Sequence, residues 1–477
     1  MFTQGDISYT FRNIKRPFVF LFVLIIALAV TTENSYSQDE NTLTYSEYLK
    51  IVIEEHPIIK TAELNTDFGE ASMLYANGLL DPLISASWKQ KDFDKKLYYQ
   101  IYGGKLDIPT RYGVSVVAGY DNTDGQFLNP QNFTQQDGLF FVGLEVDLLQ
   151  GLLVNERSAT LDKAEIISRM SENQRQLEVL ELLYQAIENY FDWQMYYEID
   201  KILDSNIVLS QTYLNITKVS YENGEKTAMD TLEAFLQYQD VIAMRQKNQI
   251  KLLKSRLKIE NFLWLDDEPV NLRNETTPED INTELANNVE DIDAAVASHP
   301  KLLTLNNKRE MLEVEQSLKS QKLLPKLKAK YNPLLSVNDN PVNEIASANN
   351  FTFGIGFSMP LLFRSARGDV ELAEIKLKEI DFKIENEYQQ LRNKINASWA
   401  RQSILYQQTD LLQNNVQGYR ALLDGERIKF DLGESSVFLV NKRQEKYIDS
   451  QIKLIKTQIE QNKAALEFYY NTNAINN

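Results

Sequence analysis

Residues Leu152 to Asn223 read LLVNERSATLDKAEIISRMSENQRQLEVLELLYQAIENYFDWQMYYEIDKILDSNIVLSQTYLNITKVSYEN, without a single glycine or proline. An unbroken run of helix formers predicts one continuous helix. From residue 155 to 221 it would extend about 100 Å at ~1.5 Å per residue, a rod that no compact soluble domain accommodates. Leu177, Leu180, Tyr184, Ile187 and Phe191 step by three and four along it, the seam of a coiled coil. Asn223-Gly224-Glu225 ends the rod. A second stretch free of both breakers, Glu225 to Glu268, then predicts a returning helix.

The same layout follows again. Asp369 to Gln417 and Glu434 to the C-terminus are also free of glycine and proline, and Leu432-Gly433-Glu434 stands before the second of them. His56-Pro57 recurs as His299-Pro300 and Pro82 as Pro325, both at an offset of 243 residues. Gly224 recurs as Gly433 at an offset of 209, so the first half carries 34 residues more, between Pro82 and Gly224. Ordered landmarks with consistent offsets predict an internal duplication. In the second rod Leu377, Ile380, Ile384, Tyr388, Leu391, Ile395 and Trp399 are spaced by about 3.67 residues, which predicts a straight or mildly right-handed helix.

Between the helices the period changes to two. Phe140, Val142, Leu144, Val146 and Leu148 alternate with Phe141, Gly143, Glu145 and Asp147. Phe351 to Met359 alternates in the same way, Leu327, Ala329 and Tyr331 alternate with lysines, and Ile84, Ala86 and Trp88 begin a fourth run. One apolar, aromatic face and one small or charged face suit a sheet between lipid and water. An ordinary half-buried soluble sheet alternates likewise. The 34 extra residues are expected in Tyr98 to Phe133, as an added hairpin or long loop at the outer end, with turns at Gly103-Gly104, Asn122 and Asp124-Gly125. Four strands cannot close a barrel, and an open edge in lipid leaves backbone groups unsatisfied. A ring of three copies, with about twelve strands, removes the edges.

Arg12, Lys15 and Arg16 precede the apolar run FVFLFVLIIALAV and a polar stretch, the layout of a signal peptide over residues 1–37. The alternative is an uncleaved anchor, for which the run is short against the usual ~20 residues. The net charge of -17 argues against nucleic acid as a partner. There is no cysteine, which removes disulfides and thiol chemistry, and His56 and His299 are the only histidines. Both are expected to be helix-terminal residues favoured by the dipole rather than metal ligands. No phosphate loop, HExxH motif or nucleophile elbow is present, so neither catalysis nor a cofactor is expected.

The order of signal peptide, short helix with His-Pro, strand pair, long helix, glycine turn and return helix, given twice, resembles the TolC-like outer-membrane efflux protein family. The resemblance covers about residues 41 to 470. It implies a mixed α and β membrane protein and a homotrimer. Four strands per copy would form a twelve-stranded outer-membrane β-barrel, and the helical hairpins a periplasmic α-barrel. It implies a passive duct that receives substrates from a periplasmic adaptor (a membrane fusion protein) and an inner-membrane transporter. The first repeat would span 41–285, with strands in 83–149, the hairpin in 155–262 and an equatorial segment at 263–290. The second would span 291–470, with strands in 326–359 and the hairpin in 368–470. The C-terminal tail would join the belt.

In that frame Gly224 and Glu225, with Gly433 and Glu434, would be the adaptor-docking tips. Asp230 and Glu233 of one hairpin, facing Lys442 and Arg443 of its neighbour, would close the inner end. Glu145 and Asp147 would line the barrel lumen and give a cation-preferring pore. An exported coiled-coil scaffold or a periplasmic adaptor-like protein without a pore is the alternative. The strands and the second hairpin are what it leaves without a role. The substrate is not written in the sequence, because a water-filled duct leaves selection to its pump.

Overall fold

The structure is a computed structural model that describes residues 41–134, 137–283, 291–336 and 349–475; the signal-peptide reading over 1–37 lies outside the described residues. Helix α1 (Tyr45–Glu55) begins at a capping box in which Thr44 and Glu47 satisfy each other's backbone N–H groups. His56 ends it and starts α2 (Pro57–Gly78), its Nδ1 accepting a hydrogen bond from the Ile58 N–H at 3.2 Å. Pro57 at the first helical position loses nothing, because its missing N–H would have been an orphan. The histidine is helix-terminal as expected, closing α1 and capping α2, but its ring nitrogen accepts the cap bond, so that bond rather than the helix dipole is what favours it there.

Strands β1 (Thr42–Leu43), β2 (Leu83–Phe93), β3 (Lys96–Pro109), β4 (Val114–Asp124) and β5 (Leu139–Asp147) fall in the first half, followed by helix α3 (Glu156–Glu222) and helix α4 (Ala228–Glu260). Short strands β6 (Trp264–Leu265), β7 (Glu268–Pro269) and β8 (Thr277–Pro278) come next. The second half comprises α5 (Ile292–Ala297), α6 (Pro300–Gln321), β9 (Lys326–Ser336), β10 (Phe351–Ser358), α7 (Arg364–Asp431) and α8 (Val437–Asn471). Apart from β3 and β4 and the short belt strands, the halves run in the same order of elements. Helices α2 and α6 both have 22 residues, and α3 and α7 have 67 and 68. Strands β2 and β9 both have 11.

The four principal strands expected become six. The sheet has the order β10-β9-β5-β4-β3-β2, all neighbours antiparallel. Of the added hairpin or long loop expected at the outer end, the structure shows the hairpin, β3 and β4, set into the sheet between β2 and β5 and running its full height. Gly103-Gly104 and Asn122, expected as turns, lie inside the β3–β4 ladder. Gly125 does turn the chain, at φ +132.

The helices form a wall rather than a core. Beside the sheet they pack in the order α2-α3-α6-α7, and in the far half in the order α4-α3-α8-α7. Each rod is thus covered by two partners in series, α3 by α2 and then by the returning α4. Close packing follows from small residues at heptad spacing. Ala62, Gly69 and Ala76 of α2 are buried, and a Cβ on Gly69 would lie 3.1 Å from Ser168 Cα. On α7 the buried residues Ala366, Ala373, Ile380 and Glu387 recur every seven, and Trp399 is exposed. The heptad of small residues carries the contact near the sheet, and the expected stripe carries it further along, where Ile380, Leu391 and Ile395 are buried with Ile384 and Tyr388 packed beside them.

At mid-height the segment called equatorial builds a belt. Strand β1 pairs in parallel with β8, and β6 pairs with β7 across Asp266 and Asp267, both at positive φ. Under it lies the largest core of the molecule, where Tyr48 and Val52 of α1 meet Leu183, Tyr190 and Trp193 of α3 and Ile259 of α4. The Tyr190 hydroxyl donates to the Leu43 carbonyl at 2.8 Å, tying the belt strand to the rod.

Candidate functional site

The ladder registers place every side chain of the sheet on one of two faces. Ile84 and Trp88 of β2, Leu106 and Tyr102 of β3, and Val116 and Tyr120 of β4 share one face. Val142 and Leu144 of β5, Tyr331 of β9 and Phe353 and Ile355 of β10 continue it. Most of these are exposed: Ile84 81%, Trp88 68%, Ile355 61%. A band this apolar, six strands wide and facing outward, matches a hydrocarbon boundary.

The other face carries the charges. Glu145 accepts from Lys330 at 2.8 Å and from Lys105, two strands away, at 3.1 Å. Asp147 pairs with Lys328 at 3.5 Å. Both acidic residues singled out from the sequence are thus placed together on the charged face of the sheet, each paired with lysine. Along the paired residues of this face stand lysines 89, 91, 105, 326, 328 and 330 against Asp107, Asp121, Glu145 and Asp147. The ground for a cation preference is gone, because Lys105 arrives on the inserted strand and the β9 lysines align with the β5 acids. Sequence position alone showed neither pairing.

At the far end of the wall the two tips are built alike. Gly224 and Gly433 both sit at φ +78, and a Cβ on either would meet nothing within 4 Å. Each closes its rod with the same pair of bonds. Glu225 N–H donates to Ser220 and Gly224 N–H to Tyr221; Glu434 N–H donates to Lys429 and Gly433 N–H to Phe430. These are Schellman caps, which need a left-handed residue and so favour glycine.

The four residues expected to form the gate sit at the starts of α4 and α8, and the bonds of Asp230, Lys442 and Arg443 stay within their own hairpins. Asp230 belongs to a capping box at the start of α4, where hydrogen bonds from Thr227 hold its carboxyl below the usual range. Lys442 pairs with Glu445 on its own helix at 2.6 Å, and Arg443 pairs back to Glu426 at 3.3 Å. Asn441 on α8 reaches the Glu233 carbonyl at 3.3 Å, so the starts of α4 and α8 adjoin. Burial, then Asp230, raises the Glu233 carboxyl above its ordinary value.

His299 is the N-cap of α6, 1% exposed, its Nδ1 accepting from the Lys301 N–H at 3.2 Å. Burial lowers its pKa to about 4. A histidine whose folded pKa is depressed stabilises the fold above its unfolded value near ~6.5, and that stability is lost as pH falls from there toward 4. The shift corresponds to about 3 kcal/mol. Heat dissociation of the purified protein is therefore expected to move to lower temperature between pH 7.5 and 5. His299→Asn keeps an N-cap acceptor and cannot titrate, so it should flatten this dependence. An unchanged pH profile in the variant would count against the assignment.

No protein-family model matches the sequence, and no curated protein matches it. Solved structures do match the fold. A membrane protein from Pseudomonas aeruginosa superposes with a TM-score of 0.67 at 11% identity, covering 90% of this chain and 92% of that one. The outer membrane protein VceC from Vibrio cholerae gives 0.65 at 12%, covering 90% and 95%. The MtrE outer membrane channel of Neisseria gonorrhoeae, in its open state, gives 0.60 at 11%, covering 89% and 88%. The chain has the TolC-like outer-membrane channel fold.

Proposed function

We propose that the mature chain is one protomer of a homotrimeric outer-membrane duct. It carries substrates across the outer membrane from a periplasmic adaptor and an inner-membrane pump, and it does no catalysis. The observation that carries this reading is a sheet that is apolar on one whole face and unpaired at both edges, continuous with a helical wall one layer thick. Such a shape is satisfied only by a closed ring in lipid. Among the described residues no helix is long and apolar enough to cross a membrane. The matched halves support an internal duplication. The purified protein is expected to run in detergent as a heat-sensitive particle of three copies and to conduct ions in planar bilayers. Reversal potentials in a salt gradient should favour anions, given the six lysines against four carboxylates. Recovery of a detergent-free soluble monomer would sink the reading, and cation preference would refute the charge argument.

The two Schellman tips, Gly224-Glu225 and Gly433-Glu434, are the docking points for the adaptor in this reading. Their glycines leave open space where a partner backbone can approach. Closure at rest is assigned to the adjoining starts of α4 and α8, with Glu233 and the half-exposed Lys442 as the pair across the ring. Asp230 and Arg443 already serve their own hairpins, and Lys442 would exchange its partner one turn on, Glu445, for Glu233 of the neighbour. Exposed pairs contribute about 0–1 kcal/mol each, so closure is a bias that an adaptor can overcome. Lys442→Glu is expected to raise single-channel conductance, and adding Glu233→Lys should restore part of the closure. Unchanged conductance in the single variant would move the gate elsewhere.

A further inference from the structure

We propose that the ring closes as an eighteen-stranded barrel, the free edge of β2 pairing antiparallel with the free edge of β10 of the next copy. The proposal rests on the trimeric reading above and fixes what that reading leaves open, the number of strands and hence the bore. Three copies of the six-stranded sheet supply the strands.

The occupant of each edge is argued from the edges themselves. Strand β2 runs away from the helical wall and β10 runs back toward it, so neighbouring copies present opposite directions. Their faces agree as well. Ile84 and Trp88 lie on the same side of the sheet as Phe353 and Ile355, so joining the edges continues one apolar band. The helices attached to the two edges carry the same message. Exposed Leu64 and Phe68 on α2, which leads into β2, would meet exposed Leu372 and Phe382 on α7, which follows β10.

The inserted pair cannot stand outside this wall. Strand β2 has no ladder to β5; it reaches the rest of the sheet only through β3 and β4. Two glycines set close approaches within the pair and a third ties its turn to the chain leading into α3. A Cβ on Gly103 would come within 2.8 Å of the Tyr120 carbonyl, and one on Gly119 within 2.6 Å of the Gly104 carbonyl. At the lower turn a Cβ on Gly113 would come within 2.9 Å of Leu152 Cα, at the approach to α3. Lys105 of β3 also reaches across β4 to Glu145 on the inner face. Barrel diameter grows roughly linearly with strand number, so this barrel would be about 1.5 times as wide as a twelve-stranded one, in the range that leaves an aqueous channel.

The test is electron cryomicroscopy of the full-length protein purified in detergent, with strands counted in the barrel. A three-fold particle with eighteen strands is expected. A three-fold particle with twelve, the β3–β4 pair lying outside the wall, overturns this proposal and leaves the duct reading standing. A particle that is not a ring overturns both. As a second measurement, deleting residues 95–128 restores the spacing of the second half. The parent barrel should then be about 1.5 times as wide as the variant's. Equal widths would overturn the proposal, and if the variant fails to fold, the strand count of the parent decides alone.

Discussion

Replacing Trp193 with alanine is expected to cost about 3–5 kcal/mol, the usual range for removing a large buried aromatic. The side chain is 1% exposed and packs edge-on against Tyr190 at 5.7 Å between ring centroids. It sits where α1, the middle of α3 and the end of α4 converge, so no single helix can move in to fill the space. The effect should spread beyond stability. Tyr190 holds the belt through Leu43, and its hydroxyl also accepts from the Glu279 N–H at 3.3 Å. Loss of its aromatic neighbour loosens β1 and β8 together. The measurement is the temperature at which the detergent-purified particle dissociates, compared with Tyr406→Ala on the exposed face of α7. If the two variants dissociate at the same temperature, the belt core does not carry this weight.

A single methyl group provides the second large effect. A Cβ on Gly143 of β5 would collide with the Tyr331 carbonyl and the Asn332 side chain of β9, and would lie 2.7 Å from Asn332 Cα. Backbone cannot yield there without opening the ladder that joins the strands of the first half to those of the second. Gly143→Ala is expected to destabilise by about 1–3 kcal/mol, the range for overpacking, and to deplete the heat-sensitive oligomer. The control is Gly104→Ala on the apolar face of β3, where a Cβ meets only the Ser85 carbonyl at 3.8 Å. That change should stay within about 0.5 kcal/mol. Equal yields of oligomer from both variants would refute the argument.

The rods and the tips were legible because their causes are local. Helix propensity over Leu152 to Asn223 needs no partner, and Gly224 and Gly433 are readable because a left-handed cap tolerates little else. The expected helix of 155 to 221 lies within one residue of α3 at each end. The alternation of Phe140 to Leu148 likewise follows from the two faces of a strand. The histidines were correctly read as helix-terminal, but the cap bond each ring accepts from the following helix, and not the dipole, is what holds them.

What the tertiary structure alone decided is which of these parts are neighbours. Tyr98 to Phe133 reads as an added hairpin or long loop at the outer end, with a turn at glycines 103 and 104; in the sheet both lie inside a strand, and Gly103 is where a Cβ would meet the Tyr120 carbonyl. Glu145 and Asp147 read as free lumen charges until the register of β5 against β9 puts lysines 330 and 328 opposite them. Trp193 is one aromatic among many in its rod, and Gly143 shows its face in the alternation of β5 but not the β9 backbone it meets. A residue's own chemistry is written at its position, whereas the atoms that will surround it come from chain segments far away along the sequence. Periodicity fixes the face a side chain takes, and only packing fixes what that face meets.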